Sequence, residues 1–321
     1  MLVFITLAKA CTYKQRYILP ALSGHMQEFP NFEPLTIEHA GIRSTLISCE
    51  PETSEMCFGS MFIWQDTYPA YISKLGKAYI IAGDEAFLKP VCTGKGEELA
   101  PLVNAIEQEC MRTKKPMVFK YVPLEFANLL GRMGYNVNPD RDNWDYVYLT
   151  EHLANLPGQK YYSKRKDIKK FMDATGGKAE FVQMQDAHLQ ACLELNKSWL
   201  ETKEAQGDAY AIAEHKALEK CIQHFKVLEF TGYVVELDGM VCGFTIAEQL
   251  NKSTVVVHFE KGDYRIPGIY QYINNAFARA MLDKYTYINR EQDLGLPGLR
   301  KAKTSYGPVR MIEKFTCVKP V

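Results

Sequence analysis

The sequence predicts an α+β protein of two similar units, each a mixed central sheet flanked by helices, and three observations support this fold class. The chain has 321 residues, too many for one ordinary hydrophobic core and about right for two. Hydrophobic residues make up 47% of it and charged residues 24%, as in globular proteins. The order of elements in the later part of the second half recurs in the first half at an offset of about 170 residues.

The second half divides clearly into elements. "KAEFVQM" predicts a strand, Asp186 begins the first of two helices, and Asp238-Gly239 joins two strands as a hairpin. "STVVVHFE" predicts the third strand of that sheet. An apolar stripe over 269–281 then predicts a long helix. The strand "YTYINR", a helix that opens at Pro297 and the strand "VRMIEKFTC" complete the half.

The first half repeats the later part of this order. "KAYIIAG", "FLKPVCTG", "PMVFKYV" and "DNWDYVYL" predict strands, while "SEMCFGSMFIW", the stretch from Leu99 and the stretch from Pro123 predict helices. We therefore divide the chain into an N-terminal segment (1–34), a first, degenerate unit (35–155), a basic linker helix (156–177) and a second unit (178–321) that carries the predicted site.

Over Lys178 to Val318 the order β-α-α-β-β-β-α-β-α-β resembles the GNAT fold, the architecture of acyl-CoA N-acyltransferases. The resemblance implies an acyl donor bound where two parallel strands splay apart, with its phosphates at the N-terminus of the next helix. The phosphate loop of that fold reads Q/R-x-x-G-x-G/A. Arg265 and Gly268 match it, whereas Tyr270 occupies the last small position and would crowd a pyrophosphate. These residues fit an ordinary Pro-Gly helix start equally well.

Composition excludes several classes of function. The formal net charge is zero, so anion binding requires local clusters of charge. Nine cysteines without CxxC or Cys/His spacing predict a reduced, cytoplasmic protein with no metal site. The start "MLVFITLAKAC" lacks the basic leader of a signal peptide, and no apolar run reaches the roughly 18 residues of a membrane helix. No P-loop or Ser-His-Asp pattern occurs, and His258, inside an apolar strand, is predicted to be a core histidine.

The linker "KYYSKRKDIKKFM" predicts an amphipathic helix. Its apolar stripe consists of Tyr161, Ile168, Phe171 and Met172. Lys164 and Arg165 lie beside this stripe. Such cations either extend into solvent or contact a phosphate or carboxylate in the groove between the two units.

The stretch "YTYINREQDLGLPGLRKAKTSYGP" concentrates charge of both signs around a turn and a short helix. The charged residues are Arg290, Glu291, Asp293, Arg300, Lys301 and Lys303. Acids near a helix start and bases near its end stabilise the helix, which accounts for part of this pattern. The charges also converge on the carboxyl end of a core strand, where open sheets bind their ligands.

"INREQDLGLPGLRKAKTSYGPVRMIEKF", together with "NWDYVY", "KYYSKRK" and "FIWQDTY", resembles the proteins related to the phosphatidylglycerol lysyltransferase C-terminal domain, from about Pro34 to the end. Members of that family are tandem GNAT-like proteins related to Fem-type aminoacyl transferases. The characterised branch moves an aminoacyl group from a charged tRNA to a phospholipid head group and carries a membrane-spanning region upstream. The resemblance thus implies an aminoacyl transferase.

Such a transfer depends on positioning and charge stabilisation and needs no covalent intermediate on the protein. Asp293 and Glu260 are the candidate bases, and Glu291 is a catalytic-site acid that orients an arginine. The candidates for binding a phosphate or an oxyanion are Arg290, Arg300, Lys303, Lys164, Arg165, Arg265 and Gly268. We expect Lys164, Arg165, Arg290 and Arg300 to share one cavity.

Two other functions fit the same sequence. One is acyl-CoA-dependent N-acetylation of a small amine, and the other is a non-catalytic GNAT-like module that binds an anion. For the aminoacyl transferase, the expected partners are a tRNA donor and a small-molecule or lipid head-group acceptor with an amine or hydroxyl. Beyond the donor substrate, no cofactor is predicted.

Overall fold

A computed structural model describes residues 26–92, 98–204 and 209–320. Predictions that concern Cys11 and the end of "FLKPVCTG" lie outside these residues. The first half contains β1 (Glu33–Pro34), α1 (Arg43–Ser48), α2 (Phe58–Ile63), β2 (Tyr71–Leu75), β3 (Ala78–Ala82), β4 (Val91–Cys92), α3 (Leu99–Thr113), β5 (Val118–Pro123), α4 (Leu124–Arg132), β6 (Asn136–Pro139), β7 (Asp145–Leu149) and α5 (Thr150–Asn155).

The linker forms α6 (Tyr162–Ala174), and the second half follows it. Its elements are β8 (Glu180–Gln183), α7 (Asp186–Glu204), α8 (Ala209–Gln223), β9 (Thr231–Leu237), β10 (Met240–Gln249), β11 (Thr254–Gly262), α9 (Ile269–Met281), β12 (Tyr287–Asn289), α10 (Pro297–Thr304), β13 (Arg310–Ile312) and β14 (Lys314–Val318). The predicted hairpin is confirmed, because Asp238 (φ 49°) and Gly239 (φ 78°) both adopt the left-handed backbone of a tight two-residue turn. Among the described residues, no helix has both the length and the apolar composition that crossing a membrane requires.

The strands form a large sheet in the second half and two smaller sheets in the first. The large sheet has the order β13-β7-β12-β11-β10-β9-β8, and the smaller ones have the orders β1-β2-β3-β4 and β5-β14-β6. β11 and β12 run parallel, with Thr254–Val256 beside Tyr287–Asn289. A parallel bridge between Phe87 and Phe119 connects the two smaller sheets.

The two halves exchange their last strands. β7, from the first half, lies between β12 and β13 of the large sheet, whereas β14, from the end of the chain, pairs with β5 and β6. The predicted division into units at 35–155 and 178–321 stays a prediction, but neither segment contains all the strands of its own sheet.

The prediction of one closing strand, "VRMIEKFTC", is wrong, because the chain forms two strands there in different sheets. β13 pairs with β7, and after Glu313 the chain enters β14, which pairs with β5. At this crossing the ammonium of Lys314 is fully buried, 2.6 Å from Asp145 Oδ1 and 2.6 Å from Glu55 Oε1. A buried ammonium requires such partners, so this cluster fixes the point at which the chain changes sheets.

One hydrophobic core extends across both halves. It packs Phe58 and Ile72 of the first half with Phe230 and Phe244 of the second, all of them buried. A shared core of this kind stabilises the contact between the halves through the apolar area that it removes from water.

The linker helix α6 packs against α9. Phe171 is fully buried and stacks on Tyr272 with ring centroids 4.2 Å apart, and Tyr161 is buried as well. Met172 is 38% exposed, so its place in the predicted apolar stripe is wrong. It lies in the last turn of α6, directly after the buried Phe171.

Candidate active site between the two halves

A cavity of about 390 Å³ lies between the two halves. α2, the loop after β3, β5, α8 and the loop after β12 contribute its walls. Acidic side chains on the walls are Glu55, Asp84, Glu85 and Glu291, and aromatic ones are Trp64, Tyr68, Phe87, Tyr121 and Tyr210. Lys120, also on the wall, is paired with Glu85 at 3.3 Å. Acids and aromatic faces together favour a ligand that carries positive charge.

Three residues on the cavity wall adopt left-handed backbone conformations without being glycine. These are Tyr121 (φ 57°), Glu291 (φ 55°) and Leu294 (φ 54°). Such conformations cost about 1 kcal/mol or more each and are concentrated at functional sites in proteins. Three of the eight non-glycine residues with this backbone among the described residues therefore lie on the cavity wall.

Hydrogen bonds hold the loop after β12 in place around Glu291. The side-chain oxygen of Asn289 accepts a hydrogen bond from the backbone N–H of Glu291 at 2.7 Å, and its amide nitrogen donates to Asp145 at 3.0 Å. The ammonium of Lys303 donates to the carbonyls of Arg290 and Gln292, on either side of Glu291. These bonds fix the backbone that presents Glu291 to the cavity.

A buried relay of polar groups lies behind Glu291. Glu291 Oε1 is 2.8 Å from Nδ1 of His258, whose Nε2 is 3.2 Å from Oε2 of Glu248. The side chains of His258 and Glu248 are 0% and 1% exposed. Burial alone would lower the pKa of His258, but hydrogen bonds with Cys57, Glu248 and Glu291 raise this pKa well above its ordinary value. His258 is thus buried, as predicted, but it also connects Glu291 on the cavity wall to the buried carboxylate of Glu248.

Glu55 is the second distinctive acid of the cavity. Burial raises the pKa of its carboxyl to about 7, an effect that nearby Lys314 partly offsets. Its Oε1 accepts a hydrogen bond from Lys314, whereas its buried Oε2 has no hydrogen-bond partner among the residues that the structure describes. A carboxyl group with a free lone pair and a pKa near neutrality is suited to accepting a proton.

Of the predicted cations, Lys164 and Arg290 meet at Tyr306. The ammonium of Lys164 lies 4.0 Å and the guanidinium of Arg290 5.0 Å from the centre of that ring. Lys164 also donates to the hydroxyl of Ser305 at 2.7 Å, and Arg290 pairs with Glu260 at 2.9 Å. Glu260, predicted as a base, is thus held by an arginine.

Asp293 belongs to a separate ion network beside α10. Its carboxylate accepts hydrogen bonds from Arg141, Tyr146, Gly295 and Arg300. Burial would raise its pKa, but the bonds from Arg300 and Tyr146 hold the pKa well below its usual range. A carboxylate with this many hydrogen bonds is a weak base. The contacts of Asp293 are therefore those of a residue that stabilises the ion network.

Two other predicted cations contact neighbouring groups of the chain. Arg165 donates to the backbone carbonyls of Leu156 and Gly158, next to the end of α5. Arg265 is 77% exposed and pairs with Asp263 at 2.6 Å. Both arrangements are local contacts.

The cavity of 390 Å³ is not a cavity that the predicted cations share. The residues concerned are Lys164, Arg165, Arg290 and Arg300, and none of them is among the described residues that line the 390 Å³ cavity. Each is engaged by groups of the protein itself. Of the residues predicted for catalysis or binding, Glu291 is the one on the cavity wall. The individual roles of the predicted residues stay predictions.

Side chains cross the gap between β11 and β12, where the resemblance to the GNAT fold implies an acyl donor. β12 ends at Asn289 whereas its parallel neighbour β11 continues to Gly262, and the ion pairs Arg290–Glu260 and Glu291–His258 span the space that opens between them.

The loop before α9 is also closely covered. Gly268 has a φ of 78°, and a Cβ at this position would lie only 2.0 Å from the backbone oxygen of Asp167 in α6. The helix N-terminus that would bind a pyrophosphate therefore packs directly against the linker helix.

Sequence reasoning missed Glu55 and Glu248 and gave His258 no role beyond the core. The available signal was that Glu248 and His258 are titratable residues inside otherwise apolar strands. For Glu55 no comparable signal exists, since its neighbours in the sequence are ordinary helix-start residues.

The first half carries two smaller sheets joined by a parallel bridge, and the second half a large sheet with a parallel pair of strands. This arrangement is that of a tandem GNAT-like fold, so the predicted α+β class is confirmed. The family model described as phosphatidylglycerol lysyltransferase, C-terminal, matches residues 48–318. The chain belongs to this family. A search of curated proteins gave no match.

Solved structures share the fold of this chain. A conserved protein of unknown function from Bacteroides thetaiotaomicron VPI-5482 is 28% identical, with a TM-score of 0.81, covering 90% of this chain and 99% of that one. L-PGS from Bacillus licheniformis is 12% identical, with a TM-score of 0.59 and coverage of 92% and 94%. FemX is 10% identical, with a TM-score of 0.53 and coverage of 89% and 96%, and it supports the fold alone.

Proposed function

We propose that this protein transfers an aminoacyl group from an aminoacyl-tRNA to an amine or hydroxyl acceptor, in the cytoplasm, with the reaction in the cavity between the halves. The observation that carries the proposal is the cavity wall itself. It combines carboxylates from both halves, Glu55 and Glu291, with aromatic faces. An aminoacyl ester carries an ammonium group at neutral pH, and this wall complements it.

The chemistry is an acyl transfer that needs one proton carrier. The nitrogen or oxygen of the acceptor attacks the ester carbonyl carbon, and the bond from this carbon to the ribose oxygen breaks. Glu55 takes the proton of the attacking group, and a proton returns to the ribose oxygen as it leaves. Glu291, held by His258, orients the ammonium of the substrate.

The phosphates of a tRNA need a cationic surface outside the cavity. α6 exposes Lys166, Lys169 and Lys170, and the last two also pair with Asp173 and Asp167 of the same helix. The formal net charge of the chain is zero, so this local surface rather than a global field would hold the donor.

Three features weigh against acyl-CoA as donor. Ion pairs span the gap between β11 and β12, and α6 covers the loop at Gly268. Acidic side chains on the cavity wall would also repel the phosphates of coenzyme A.

A donor panel tests the proposal. The purified protein is incubated with tRNAs charged with labelled amino acids, and separately with labelled acetyl-CoA, in the presence of small amines or phospholipid vesicles. We expect consumption of at least one aminoacyl-tRNA and transfer of its label, with acetyl-CoA left intact. Consumption of acetyl-CoA alone would identify an N-acetyltransferase instead. If neither donor is consumed and neither raises the melting temperature, the protein is a non-catalytic binding module.

A further inference from the structure

Three metal-ligating side chains converge behind the cavity wall. They are Cys57, which directly precedes α2, Glu248 in β10 and His258 in β11. One donor atom from each lies within 4.8 Å of the other two, and all three residues are buried. Thiolate, imidazole and carboxylate are the ligand types that Zn²⁺ takes in proteins.

The surroundings orient two of these ligands as metal sites require. Nδ1 of His258 faces Glu291 at 2.8 Å, which leaves Nε2 directed at Glu248. The backbone N–H of Gly59 donates to Oε1 of Glu248 at 3.1 Å, which leaves Oε2 directed at His258. A carboxylate on the far nitrogen of a ligating histidine is a common arrangement in zinc sites.

Residue 59 must be glycine for this arrangement. A Cβ at that position would lie 2.4 Å from Oε2 of Glu248 and 2.6 Å from the ring of Phe230. The absence of a side chain leaves room for the carboxylate beside Cys57 and His258.

The geometry points to a Zn²⁺ site formed by Cys57, Glu248 and His258. Binding displaces the proton of the Cys57 thiol and the proton on Nε2 of His258, both of which pass to solvent. A thiolate, a carboxylate and a neutral imidazole then balance the two charges of the ion, which suits a buried position. The site also fixes His258 with its remaining proton on Nδ1, where it donates to Glu291. The ligands lie at positions 57, 248 and 258, so no spacing motif in the sequence reveals them.

Metal content tests the site without any substrate, so the result is independent of the proposed transfer reaction. The full-length protein is incubated with Zn²⁺, freed of excess ion and measured by elemental analysis, and a Co²⁺-loaded sample is examined for sulfur-to-metal absorption. We expect one ion per chain and a cobalt–thiolate band. Cys57→Ser should abolish the band and lower the affinity by at least about 100-fold, more than the loss of an outer-shell partner such as Glu291.

Cys242→Ser is the matched control, since Cys242 is also buried and lies in β10 but outside this cluster. It should bind the ion like the unaltered protein. If Cys57→Ser fails to fold, Glu248→Gln serves as the second variant. The inference is overturned if the unaltered protein retains less than about a tenth of an equivalent, or if Cys57→Ser keeps full affinity. The three groups then form only a hydrogen-bonded relay.

Discussion

The network beside α10 contains a buried acid and the wall of the cavity a partly buried one, and the two are in opposite states. In the network, Asp293 accepts five hydrogen bonds, three of them from the arginines Arg141 and Arg300. On the cavity wall, Glu55 shares one oxygen with Lys314 and leaves the other without a partner among the described residues. The first acid has a lowered pKa and the second a raised one.

This difference shows that a high density of charge in the sequence does not by itself mark a reactive site. Around Asp293 the charges neutralise one another and stabilise a turn. Around Glu55 burial is only partly compensated, and uncompensated burial is what moves a pKa toward neutrality.

Glu55→Gln is the strongest test of the contrast between Glu55 and Asp293. Removal of the proton acceptor should reduce aminoacyl transfer by roughly 10² to 10⁴-fold, measured as single-turnover rate with the productive donor. Glu52→Gln is the control, because Glu52 is half-exposed and pairs only loosely with Arg310 at 3.7 Å. Equal rates for Glu55→Gln and the unaltered protein would remove Glu55 from the chemistry.

Asp293→Asn tests the acid of the ion network beside α10. Loss of the buried carboxylate leaves Arg141 and Arg300 without their shared partner, so the free energy of unfolding in urea should fall by about 3 kcal/mol. The transfer rate of the folded variant should change far less than that of Glu55→Gln. A large loss of rate at unchanged stability would return Asp293 to the role predicted from the sequence.

A smaller effect is expected from Lys303, which supports the loop that carries Glu291. Burial lowers its pKa to about 8, below the value of an unfolded chain, so between these two values the unfolded state binds more protons. Stability should therefore rise with pH above about 8, by about 2 kcal/mol between pH 7 and 9.5. Urea unfolding of the unaltered protein and of Lys303→Met measures this rise. Parallel pH profiles for the two proteins would contradict it.

Features that depend on local sequence were predictable. The Asp238-Gly239 turn needs two residues that tolerate a left-handed backbone, and the stripe from Ile269 to Met281 needs only helical spacing. Both follow from residues that are neighbours in the chain. The tandem fold was predictable for the same reason, through the order of its elements.

Features that depend on partners distant in the sequence were not predictable. Strand alternation marks β7 and β14 as strands but does not specify the neighbours with which they pair. Burial raises the pKa of Glu55, Lys314 partly offsets this rise and Asp145 adds to it, and both of these partners lie far along the chain. The interpretation of His258 as a core residue described its burial correctly, but not its contacts with Glu248 and Glu291.

Exchange of the last strands makes the two halves interdependent. A fragment that ended before residue 178 would keep β7 without its neighbours β12 and β13, and would leave β5 and β6 without β14 between them. Neither half of the chain would then complete the hydrogen bonds between its strands alone. Domains of one chain ordinarily move or unfold separately, whereas this exchange predicts that the two halves unfold together.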